Sequence, residues 1–177
     1  MIGGLRTYLK RFRRDETGNA VVEFAMLVPI FIFFMMASVE VGLMSIRNTM
    51  LERNLDQTVR WIRLNTGAAP THAELKQMIC ATQVVPNCLE NLQLEMVRRN
   101  IRNWEALPAQ VSCTDRSLEV QPMANLSFGL DNELMILRAC AKYEPIFPST
   151  WFTNELSLDE AGDTRLIAMT AFVQEPR

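Results

Sequence analysis

Residues Gly18–Ile46 read GNAVVEFAMLVPIFIFFMMASVEVGLMSI, a single apolar run with one acid, Glu23, set near its start. From Phe24 to Val39 no charge interrupts it, and with the extension through Glu40 to Ile46 it exceeds the roughly 20 residues that cross a bilayer as helix. Pro29 is compatible with such a helix, since the backbone groups that a proline frees are re-satisfied within a membrane bundle. Phe31, Phe33, Phe34, Met35 and Met36 are then lipid-facing. Glu23 is different. A carboxylate among Val21, Val22, Phe24 and Ala25 is costly in hydrocarbon, so it implies a role beyond anchoring. Glu40, about 1.5 Å per residue further along the helix, brackets the other side of the core; its expected position is interfacial, with helix packing around Gly42 as the alternative.

Before the run stand Arg6, Lys10, Arg11, Arg13 and Arg14, offset only by Asp15 and Glu16. A basic leader of this kind stays in the cytoplasm, which puts the rest of the chain outside, in the periplasm if the cell is Gram-negative. A secretory signal would have an apolar stretch of about 7–15 residues and a small-residue cleavage site after it. This run is too long and no such site follows, so any cleavable element lies before it. The division expected is a leader over 1–18, a membrane helix over 19–46 and an outer domain over 47–177. About 130 residues beyond the span suffice for one compact domain.

Net charge is −2, and all four cysteines, Cys80, Cys88, Cys113 and Cys140, fall on the outer side. An even number in an oxidising compartment favours two disulfides. Three pairings are open; Cys80 with Cys88 closes a short loop, and Cys113 with Cys140 then staples two later segments. Zinc is disfavoured because no CxxC spacing occurs and His72 is the sole histidine.

Past Ile46, Met44, Leu51, Leu55, Val59 and Ile62 recur at helical spacing between charged residues, so the span continues as an amphipathic stalk over 47–66, with Trp61 as core packing. Thr66 and Gly67 stop it. Thr71 with Glu74 forms a capping box for a second helix to about Ala81, with His72 a polar surface residue in its first turn. Val84–Cys88 reads as a turn. Alternation then predicts a strand from Leu92 to about Ile101, a weaker one over Leu118–Gln121, and the two strongest over Glu133–Tyr143 and Arg165–Val173. The fold class is α+β, a transmembrane helix continuing into a stalk packed on a small antiparallel sheet. Arg98, Arg99 and Arg102 form a solvated basic face, not a nucleic-acid patch. Asp159 and Glu160 read as solvated loop acids, and nothing assembles a catalytic, cofactor or metal constellation, so no enzymatic activity is expected.

The order Gly18, Asn19, Ala20, Val21, Val22, Glu23, Phe24 resembles a type IV prepilin processing site, where a glycine ends a basic leader and a glutamate sits five residues beyond. Over Glu16–Gly42 the chain closely resembles the TadE-like family of the tight adherence (Tad/Flp) pilus system, through Val22, Glu23, Phe24, Pro29, Glu40 and Gly42. The ending FVQEPR is similar to an N-E-P-type terminus, with Gln174 in place of the commoner asparagine. The resemblance implies a pilin-like fold and a minor pseudopilin, cut after Gly18 by a prepilin peptidase so that Asn19 becomes the N-terminus. It further implies insertion in the inner membrane, contact through Glu23 and Phe24 with other Tad pseudopilins, the major pilin and the inner-membrane assembly platform, and no cofactor. Cleavage would put a fresh ammonium one helical turn from Glu23, where the two charges can neutralise each other. The alternative is an uncleaved single-span periplasmic binding or tethering protein.

Overall fold

The computed structural model describes residues 19–65, 67–114, 126–148, 153 and 158–176. The leader, Gly18, Thr66 and the Leu118–Gln121 strand lie outside them. The chain divides into two units, Met1–Val39 and Glu40–Arg177.

Helix α1 spans Asn19–Leu64 and keeps Pro29 inside it. Its sequence changes character along its length. From Val21 to Val39 large apolar side chains are exposed on every side, among them Phe24, Phe31 and Phe34. From Glu40 on, burial is confined to one stripe: Glu40, Leu51, Asn54, Leu55, Thr58, Val59 and Ile62, with Met44 packed against it. Steps of three and four residues keep these positions on one face. The second compact unit thus takes in α1 from Glu40 on. Trp61, expected in the core, is 37% exposed, because it falls one position off the stripe that Ile62 closes.

Thr71 caps α2 (His72–Ile79): its hydroxyl accepts from the Glu74 amide, and the Glu74 carboxylate accepts from the Thr71 amide at 2.6 Å. A 3-10 turn, Cys80–Thr82, follows. Gln83 and Asn87 take left-handed backbone conformations around the predicted turn, which runs on into a one-turn helix α3, Cys88–Asn91.

Three strands, β1 (Leu92–Arg99), β2 (Leu134–Tyr143) and β3 (Thr164–Val173), form an antiparallel sheet in sequence order. Register pairs Leu92 with Ala141 and Leu134 with Val173. Strand alternation sends Leu92, Leu94, Met96, Met135, Leu137, Ala139, Ala141, Leu166, Ala168 and Phe172 into one core with the α1 stripe, Leu75 and Ile79. Burying a Leu or Ile side chain contributes about 1.5–3 kcal/mol, so this shared core is the main source of stability.

On the opposite face of the sheet, Arg138 faces its cross-strand partner Glu95 at 3.4 Å, and both are largely buried. Cys140, fully buried on that face, is bonded to Cys113. Lys142 and Asp159 pair at 2.6 Å beside a turn in which Asp159 Oδ1 accepts from the Ala161 and Asp163 amides. Asp159 is therefore a structural acid and not the solvated one expected. The chain is α+β, a long helix and a three-stranded antiparallel sheet, as the periodicity indicates.

Candidate functional site

Asn19 opens α1, and Glu23 and Phe24 lie on its first turns, both exposed. Phe24 is 69% exposed, and its neighbours Val21, Val22 and Leu27 are exposed with it. Glu23 is thus flanked along the helix by uncovered aliphatic and aromatic side chains. Gly18, the proposed processing position, lies outside the described residues.

Both disulfides, Cys80–Cys88 and Cys113–Cys140, are present, which resolves the three open pairings. The first closes the loop between the 3-10 turn and α3. The second ties the segment before residue 114 to the sheet face opposite α1, where Thr114 Oγ1 also donates to the Asn91 carbonyl at 3.2 Å. The site candidates thus fall into two groups, one per unit.

Glu40, whose expected position is interfacial, also makes specific contacts within the folded unit. It is 1% exposed, and its Oε2 accepts from the amides of Ile146 and Phe147 at 3.0 and 3.2 Å. Two turns along the same face, the Arg47 guanidinium stacks 4.5 Å from the centre of the Tyr143 ring, a cation–π contact. Burial pushes the Tyr143 hydroxyl above its ordinary value; Arg47 opposes that shift and Glu40 adds to it. The sequence signal was available: Glu40, Met44, Arg47 and Leu51 continue the stalk's own spacing.

His72 also departs from expectation. It is partly buried against β1, with Nε2 accepting from the Leu94 amide at 3.4 Å. Burial, and after it the charge of Lys76, hold its pKa below the ordinary 6.5. Among the basic residues, Arg98 is exposed and paired with Glu133 at 3.2 Å, as a solvated face requires.

Among the described residues one helix is long and apolar enough to cross a membrane, and it leads into a small antiparallel sheet domain, which defines the class as α+β with a candidate N-terminal membrane span. Residues 18–60 match the family model described as TadE-like protein, so this segment carries the TadE-like signature. The match takes in the exposed apolar stretch, Glu40 and most of the packing stripe. A search of curated proteins and a search of solved structures return no match.

Proposed function

We propose that this protein is a minor pseudopilin-like assembly subunit of the Tad pilus, inserted in the inner membrane with its leader cytoplasmic and its sheet domain periplasmic. The observation that carries the reading is the TadE-like match beginning at residue 18, where α1 starts one residue later and exposes apolar side chains on all faces. A prepilin peptidase cuts after Gly18. The ammonium created on Asn19 then neutralises Glu23 of the same or a neighbouring subunit in hydrocarbon. Phe24 packs beside that pair. The role is structural rather than catalytic, and the partners are other pseudopilins, the major pilin and the assembly platform.

Intact-mass analysis of the full chain made with and without prepilin peptidase tests the processing. The mass should drop by the leader ending at Gly18 only when the peptidase is present; an unshifted mass in both strains refutes processing and favours an uncleaved tether. Glu23→Ala should leave cleavage intact and weaken co-purification with partner subunits. Undiminished co-purification removes Glu23 from the assembly contact.

A further inference from the structure

The loop after β2 reads Glu144-Pro145-Ile146-Phe147-Pro148. Pro145 and Pro148 have no N–H to solvate. The two amides between them, Ile146 and Phe147, both donate to Glu40 Oε2. The Phe147 carbonyl accepts from Thr153 Oγ1 at 2.7 Å. From 145 to 148, then, every backbone donor is either absent or used within the protein. A loop that faces water gains little from this, because water satisfies an exposed amide. A loop that enters a medium of low polarity needs it, since each unpaired amide there is costly.

The side chain at the tip fits the same medium. Ile146 is 47% exposed, although the carboxylate that binds its amide is buried. The loop is fastened to residue 40 of α1, the first residue of the folded unit, and Val41 beside it is also 47% exposed. In sequence, Glu40 follows directly on the uncharged run that ends at Val39. The Glu40 clasp therefore holds an exposed isoleucine, between two prolines and with both intervening amides used, against the residue that directly follows the apolar run in sequence.

We propose that loop 144–148 is a membrane-contact element: Ile146 enters the headgroup region of the bilayer that α1 crosses. The inference rests on the membrane-spanning reading above. An apolar side chain in this position sits about 5–10 Å into the boundary between headgroups and acyl chains. One helix alone leaves its domain free to swivel about the helix axis. A second contact, fastened through Glu40, holds one end of the sheet against the lipid surface and orients the rest for partners.

The test uses the full chain in phosphatidylcholine–phosphatidylglycerol vesicles, with an environment-sensitive fluorophore on single added cysteines; the four native cysteines are paired and do not compete. Ile146→Cys keeps the backbone amide and hence the clasp. Phe31→Cys reports on the span, and Leu130→Cys, exposed at the other end of β2, reports on the far end of the domain. Lipids brominated near the headgroup should quench position 146 strongly, those brominated deep in the chain should quench position 31, and neither should quench position 130. Quenching at 31 with none at 146 overturns the contact while leaving the span standing. Absence of quenching at 31 overturns the span, and the contact with it. If position 146 is instead shielded from aqueous iodide only at high protein density, its occupant is a second copy, and the lipid contact is refuted.

Discussion

Removing the Glu40 carboxylate should destabilise the folded unit by far more than a surface change at the end of an apolar run. In Glu40→Ala, the Ile146 and Phe147 amides lose their shared acceptor, to which they now donate at 3.0 and 3.2 Å. A hydrogen bond to a charged group contributes about 1.5–3 kcal/mol net. Both bonds converge on one oxygen and are not additive, and deleting the acid also relieves the cost of holding it 1% exposed. The expected loss is about 2–4 kcal/mol, at roughly 4 °C per kcal/mol a fall of about 8–16 °C in the thermal midpoint. Glu40→Gln retains an acceptor without the charge and should lose about half as much. The midpoint in detergent is one measurement, and hydrogen exchange of the loop peptide is the other. Pro145 and Pro148 contribute no amide, so faster exchange there reports mainly on Ile146 and Phe147. If Glu40→Ala unfolds within about 0.5 kcal/mol of the wild type, a change typical of a featureless surface site, and exchange is unchanged, the clasp contributes nothing and the reasoning fails.

His72 gives a pH dependence of fixed sign. Its folded-state pKa lies below 6.5, chiefly through burial, so the unfolded chain takes up a proton first; stability is complete above 6.5 and falls as pH drops from there through the depressed value. Urea midpoints between pH 7.5 and 5 should show that slope, and His72→Gln should flatten it; an equal slope in the variant places the titration elsewhere. The two disulfides should differ in worth by the loops that they close, 27 against 8 residues of separation. Chain entropy assigns about 3.5 kcal/mol to Cys113–Cys140 and about 2.5 to Cys80–Cys88. Cys113→Ser with Cys140→Ala should therefore lower the denaturant midpoint further than Cys80→Ser with Cys88→Ser, and the reverse order would contradict that ranking.

The parts of the fold that were legible in the sequence are those set by local period. The apolar run needs only composition, the stalk only its three-and-four spacing, and β2 and β3 only their enrichment in apolar residues between turn signals. Trp61 shows the period outranking residue type: an indole invites a core assignment, but its phase on α1 leaves it exposed. Glu40 and His72 share another property, partners distant in sequence. Glu40 binds amides 106 and 107 positions away, and His72 accepts from a strand amide 22 positions on. No local pattern encodes such a pairing, which exists only once the sheet brings the partners together.

Those distant polar contacts also decide something that the apolar core cannot. Leu51, Leu55, Val59 and Ile62 give affinity without direction, and a helix face of this kind can slide a turn, about 5.4 Å, along a sheet and still bury similar area. Polar contacts at three heights on α1 mark its register, and the two buried ones oppose the slip. Glu40 binds the loop after β2, Asn54 donates to the Ile79 carbonyl at 2.7 Å and to Thr82 at 2.6 Å, and Arg63 pairs with Glu175 after β3 at 2.8 Å. Because β2 and β3 are antiparallel, these contacts also fix the direction of α1 from Glu40 to Leu64 as opposite to that of β2. The Arg63 pair is exposed and contributes little. Glu40 and Asn54 are buried, and a one-turn shift would leave their partners unpaired where water cannot replace them. They therefore set the residue at which the helix leaves the folded unit, and that register is what the buried acid and amide maintain.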